Sequence, residues 1–177
     1  LSLPDALPIC YADLIRARYP KIPRRVSGYN LDELLPENGF NVARALVGTE
    51  GTCVTILEAE LRLVPSPPVR SLLVLGYRDV FLAGDHVPQI LGFGPIGLEG
   101  IDDALIADMK RKDMHPKDRA LLPPGGGWLL VEFGGDSKDE ADSKAHRLMD
   151  ALKGRDDAPS MKLFDDPAEE KMLWLIR

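Results

Sequence analysis

The segment Val47-Gly48-Thr49-Glu50-Gly51-Thr52 has the residue types and spacing to hold a ligand. Two glycines bracket a carboxylate, and glycine lets a backbone turn tightly and approach a ligand closely. The hydroxyls of Thr49 and Thr52, with several backbone N–H groups, could donate to a phosphate or a heterocycle. Taken alone, these residues leave two readings open, a plain tight turn and a cofactor loop, and they favour the turn. Gly92-Phe93-Gly94-Pro95-Ile96-Gly97 spells GxGxxG. A dinucleotide fingerprint, however, needs a strand before it and a helix opening at it. Here the pattern reads helix first and strand second, and Pro95 removes a donor, so helix-end and turn glycines explain the motif.

The remaining reactive side chains do not converge. His86, His115 and His146 fall on three separate elements, and none has the i+4 partner a metal site would use. The paired acids Asp102-Asp103, Asp156-Asp157 and Asp165-Asp166 suit helix starts better than acid–base work, because adjacent carboxylates on a helix do not face each other. Cys53, beside an apolar stretch, reads as a small buried hydrophobe. No nucleophile stands near a base, so no catalytic residue and no metal ligand is assigned.

The elements that would position these residues follow from hydrophobic periodicity. Tyr11–Arg18 reads as a short helix, Pro20 and Pro23 break the chain, and Asn41 caps a helical turn to Leu46. Over Thr52–Val64, Leu57, Ala59, Leu61 and Leu63 alternate with Glu58, Glu60 and Arg62, which predicts a half-buried strand. Pro65-Ser66-Pro67-Pro68 then forms a stiff linker and domain boundary. Beyond it, strands are expected at Ser71–Tyr77, Ile96–Ile101, Trp128–Phe133 and Met161–Phe164. Helices are expected from Asp79 to about Leu91 (kinked or divided at Pro88), over Asp102–Lys112, from Ser137 to Gly154, and from Asp166-Pro167 onward, with a helical turn at Lys117–Leu122. Ser137 and Glu140 have capping-box spacing. The order predicts an α+β unit, a ferredoxin-like split βαβ fold whose four-stranded antiparallel sheet carries helices on one face.

Composition narrows the classes. The chain has 177 residues, 45% hydrophobic and 28% charged, with a net charge of −6. That sign argues against nucleic-acid binding through phosphate contacts. No apolar run approaches the roughly 18 residues of a membrane span. Two unpatterned cysteines suggest a reducing, cytoplasmic setting. Residues 1–9 (LSLPDALPI) lack an initial methionine and a basic region, so they are no secretory signal. They look like a translated sequencing adapter and are expected to be non-native. Both ends read as cuts in a longer protein.

Three ordered motifs carry a resemblance. Gly28-Tyr29-Asn30-Leu31, then Gly48-Thr49-Glu50-Gly51-Thr52, then Glu58-Ala59-Glu60-Leu61-Arg62-Leu63-Val64-Pro65 resemble the GYDL…GSEGT…EATLRLVP pattern. That pattern belongs to FAD-linked oxidases of the vanillyl-alcohol-oxidase and glycolate-oxidase type. The likeness covers about residues 24–177, and the region after the linker resembles the family's cap as far as Leu173-Trp174-Leu175-Ile176-Arg177. It implies the C-terminal part of a PCMH-type FAD-binding domain over 10–68. Over 69–177 it implies the N-terminal part of a substrate-binding cap. Further implied are FAD as cofactor, a D-2-hydroxy acid (D-lactate or D-2-hydroxyglutarate class) as substrate, and hydride transfer to the flavin. Electrons would pass to an iron–sulfur partner fused downstream; that cluster, and a divalent metal, would belong to other parts of the parent. Gly48, Thr49, Glu50, Gly51 and Thr52 would line the FAD site, with Gly28 and Tyr29 on a neighbouring loop and Ile56 against the nucleotide. Arg177 would grip the substrate carboxylate. The chain departs from the family at Cys53-Val54, where Leu-Gly is usual. The competing reading is a non-enzymatic ferredoxin-like module that binds a small ligand or another chain.

Overall fold

The apolar run at 71–77 has no polar alternate positions, so a strand made from it needs cover on both faces. In the computed structural model of the chain, which describes residues 3–22, 25 and 28–176, that run is the centre of a sheet. β1 (Val69–Tyr77) lies between β3 (Gly127–Gly135) and β4 (Ser160–Phe164), and β2 (Gly97–Asp102) lies outside β3. The order is β2-β3-β1-β4 with every neighbour antiparallel; Leu73 pairs with Val131 and Leu163, and Glu99 with Leu130. α3 (Val80–Leu91) connects β1 to β2, and α6 (Lys138–Leu152) connects β3 to β4. Two strand–helix–strand units are therefore interleaved. This is the α+β, ferredoxin-like arrangement with an antiparallel sheet that the sequence predicts.

The expectation of helices on one face is corrected. On one side, Ala83 and Ile90 of α3 and Ala145, Leu148 and Leu152 of α6 bury Leu73, Leu75, Tyr77, Leu129, Val131 and Phe133. On the other, α4 (Asp103–Arg111) and α7 (Pro167–Trp174) contribute Ile106, Met109 and Leu173 against Leu72, Val74, Trp128, Leu130 and Phe164. The short α5 (Pro116–Arg119) follows α4, and Leu121 and Leu122 just beyond it join the same cluster. Capping agrees with the sequence. Asp79, Asp102, Ser137 and Asp166 each accept a backbone N–H of the helix that follows. Glu140 returns its carboxylate to the N–H of Asp136, one residue before the cap. Pro88 does not divide α3, which runs unbroken through it.

The chain separates into two units, Leu1–Leu63 and Val64–Arg177. In the first, α1 (Leu3–Arg18) is longer than the predicted Tyr11–Arg18 helix and enters the adapter-like segment. Single 3-10 turns follow at Leu31–Leu34 and Pro36–Asn38, then α2 (Val42–Ala45). The strand predicted over Thr52–Val64 is absent. Leu57, Leu61 and Leu63 stand 94%, 77% and 88% exposed, and Cys53, expected buried, is exposed. Alternation prepares one face for burial, but a strand also needs a neighbour's N–H and C=O groups. Among the described residues none forms a strand ladder with this segment.

Candidate functional site

The candidate ligand turn grows from a short helix. Asn41 accepts the N–H of Arg44 at 3.0 Å and starts α2. Four residues later the helix ends, and Leu46 O accepts both the N–H and the hydroxyl of Thr49, at 3.2 and 2.9 Å. Gly48, Glu50 and Gly51 all adopt left-handed backbone, with φ of +88°, +51° and +74°. Glycine suits that conformation, whereas Glu50 holds it with a side chain, as residues at ligand clamps tend to do. Thr52 closes the turn: its N–H and its hydroxyl both donate to Thr49 O, at 3.0 and 2.6 Å.

A second loop joins this turn. The Tyr29 hydroxyl lies 2.7 Å from Thr52 Oγ1. Thr52 spends its one hydroxyl proton on Thr49 O, so Tyr29 is the donor. Asn30 Nδ2 donates to Val47 O at 2.8 Å, and Arg44 pairs with Glu33 at 3.2 Å. Gly28, Tyr29, Gly48, Thr49, Glu50, Gly51 and Thr52 therefore form one locus. Ile56 does not join it; it is 64% exposed in the unpaired stretch beyond Thr52. Arg177 lies outside the described residues. Sequence reasoning missed Tyr19, whose hydroxyl reaches this locus from the end of α1, and the bridging role of the Asn30 side chain. No motif marks either role.

The turn's donors differ from those expected. The hydroxyl protons of Thr49 and Thr52 are committed internally, so neither donates to a ligand. Among the described residues, the N–H groups of Glu50 and Gly51 have no acceptor. A Cβ placed on Gly51 or Gly28 would meet no atom within 4 Å, so both glycines face open space. N–H groups without an acceptor, beside bare glycine, suit an anionic or heterocyclic ligand edge.

Polar groups in the second unit concentrate where α6 and α7 start. Lys138 Nζ donates to Ser71 Oγ at 3.1 Å and to Arg70 O at 3.3 Å, and stands 3.7 Å from Glu170 and 3.8 Å from Asp165. Burial, opposed by Lys138, pushes the Glu170 carboxyl above its ordinary value. Arg70 holds the buried Glu132 at 2.6 Å. His86, which reads from sequence as a surface or helix-face residue, is 5% exposed and bonded through Nε2 to Asp157 at 3.0 Å. No cluster of metal-binding side chains occurs among the described residues, nor is any helix there long and apolar enough to cross a membrane.

Residues 66–177, which contain the whole interleaved sheet, match the family described as FAD linked oxidases, C-terminal domain. The chain belongs to that family. Curated relatives of this FAD-linked oxidase chain include a D-2-hydroxyglutarate dehydrogenase of Pseudomonas putida, 31% identical over 80% of the chain and 15% of the relative. A D-lactate dehydrogenase of Anaerostipes hadrus is 23% identical over 95% of the chain and 36% of the relative. The glycolate oxidase subunit GlcD of Escherichia coli K12 is 29% identical over 82% and 28%. The chain thus spans a minor part of the proteins it matches. The 48–52 turn lies outside the matched residues; its open Gly51 and the unspent N–H groups of Glu50 and Gly51 are compatible with the edge of a nucleotide.

Proposed function

We propose that the chain is part of an FAD-dependent dehydrogenase of D-2-hydroxy acids, in which 10–68 completes an FAD-binding domain and 69–177 begins the substrate cap. The observation that carries this reading is the joining of the Gly28–Tyr29 loop to the Gly48–Thr52 turn, in a chain whose second unit is an FAD-linked oxidase domain. When bound, FAD supplies the hydride acceptor. Around it, Glu50 and Gly51 would offer backbone N–H groups, Gly28 and Gly51 would permit close approach, and Ile56, outside this locus, would meet the nucleotide through its backbone only if the 53–56 stretch folds back toward the turn. Arg177 holds the substrate carboxylate by two hydrogen bonds, as a planar guanidinium can. The names of the relatives support a D-2-hydroxyglutarate- or D-lactate-class substrate. The motif resemblance read from the sequence implies an iron–sulfur electron acceptor.

The test is anaerobic titration of the complete flavoprotein with D-2-hydroxyglutarate, D-lactate and their L-enantiomers. Bleaching of the flavin band by a D-acid alone is expected. A purified protein that carries flavin but is reduced by none of these acids would overturn the substrate class. A protein without flavin would overturn the cofactor site.

A further inference from the structure

The 3-10 turn at Leu31–Leu34 has Asn30 at its N-cap position, where an asparagine side chain normally accepts an N–H of the first turn. Here it does not, because Asn30 Nδ2 is turned toward Val47 O. The vacant role is filled from elsewhere. Leu31 N donates to the Tyr19 hydroxyl at 3.1 Å, and the same hydroxyl donates to Tyr29 O. One phenol thus satisfies both peptide groups flanking Asn30 and holds the backbone on either side of the residue whose side chain bridges to Val47. Tyr19 itself is fixed: its N–H bonds Ile15 O at the end of α1, and the Arg25 guanidinium lies 5.0 Å over its ring while pairing with Asp32 at 2.6 Å. The Tyr29 hydroxyl, 2.7 Å from Thr52, carries the constraint into the 48–52 turn.

We infer that Tyr19 is a positioning residue for the flavin turn, acting through Tyr29 on Thr52 without touching the ligand. This rests on the assignment of the 48–52 turn to FAD. Its structural core, that Tyr19 orders the turn, stands apart from that assignment. Phenylalanine keeps the ring against Tyr11, Leu14 and Ile15, with which it lines an apolar groove, and deletes only the hydroxyl.

Hydrogen exchange of the 177-residue chain, wild type against Tyr19→Phe and Tyr29→Phe, tests the inference. Tyr19→Phe should speed exchange at Leu31 and also at Thr49 and Thr52, whose amides are bonded within the turn. Tyr29→Phe should speed Thr49 and Thr52 but leave Leu31 slow. If Tyr19→Phe loosens Leu31 alone, or changes nothing, the inference fails. Should Tyr19→Phe loosen all of the first unit, Tyr29→Phe decides: an unchanged turn then overturns the coupling. In the complete flavoprotein, Tyr19→Phe should weaken FAD retention about tenfold, the scale of one hydrogen bond. A wild type that retains no flavin removes the FAD assignment and leaves the exchange result to judge Tyr19.

Discussion

Tyr77→Phe should stabilise the second unit. Tyr77 ends β1 at 1% exposure, packed with Ala83, Ile90, Leu129, Leu148 and Leu152, its ring edge-on to His86 at 4.9 Å. Among the described residues the buried hydroxyl has no hydrogen-bond partner, and neither has Nδ1 of His86, the ring it meets edge-on. Burial, reinforced by the Asp157 carboxylate, pushes the phenol's pKa well above its ordinary value. A buried hydroxyl without a partner costs about 1–3 kcal/mol, because folding strips water from it and returns nothing. Phenylalanine removes that cost and keeps the ring. The vacated oxygen leaves a void of roughly 10 Å³, which at about 24 cal/mol per Å³ takes back near 0.2 kcal/mol. The net expectation is a gain of about 1–3 kcal/mol, read as a Tm rise of roughly 4 °C per kcal/mol. Both tryptophans, Trp128 and Trp174, lie in this unit, so tryptophan fluorescence during urea unfolding reports it alone. A Phe variant less stable than wild type by 1 kcal/mol or more, on the scale of a lost hydrogen bond, would refute the reasoning.

Gly127→Ala should cost about 2–4 kcal/mol by the same assay, since its Cβ would strike the backbone of Val80 and come within 2.6 Å of Asp79 C, where α3 starts. Glu170 has a carboxyl raised chiefly by burial, so the folded state holds its proton longer than the unfolded chain. Stability therefore falls as pH rises from the ordinary glutamate value, about 4.3, through the raised folded value, and Glu170→Gln should flatten that limb in urea midpoints taken from pH 3 to 8. The 177-residue chain alone should bind FAD weakly or not at all; micromolar binding by equilibrium dialysis would contradict this. In the complete enzyme, Arg177→Lys should keep the flavin spectrum but lower turnover of a D-2-hydroxy acid on the order of a hundredfold, through loss of the two-pronged grip.

The sheet was legible because its strands and helices carry their own signals. Asp79, Ser137 and Asp166 announce helix starts, and the spacing of Ala141, Ala145, Leu148 and Leu152 announces a buried stripe. The second layer of helices was legible too, and overlooked. SLLVLGY lacks a polar alternate, which already requires two covered faces. Thr52–Val64 misled for the opposite reason: Leu57, Leu61 and Leu63 have strand periodicity, but pairing depends on a partner the pattern cannot reveal. At the candidate site, the glycines were readable from type and order. The Tyr19 hydroxyl was not, because one phenol bonded ten and twelve residues away leaves no periodic trace.

The two units differ in what holds them, and the difference bears on the 48–52 turn. The second unit buries apolar side chains on both faces of its sheet. In the first, the buried apolar residues among those described are Ile15, Leu35 and Ala45, while Leu57, Leu61 and Leu63 face water. So small a core supplies little of the free energy needed to fix backbone, at about 1–2 kcal/mol per residue. The turn that would meet FAD is instead held by local hydrogen bonds: Thr49 on Leu46, Thr52 on Thr49, Tyr29 on Thr52, Asn30 on Val47 and Tyr19 on Tyr29 and Leu31. Binding to a preordered turn forgoes the ordering cost, and affinity rises by that amount without any added contact. On the proposed flavin reading, these bonds would lower the ordering cost of holding the nucleotide at this edge of the site.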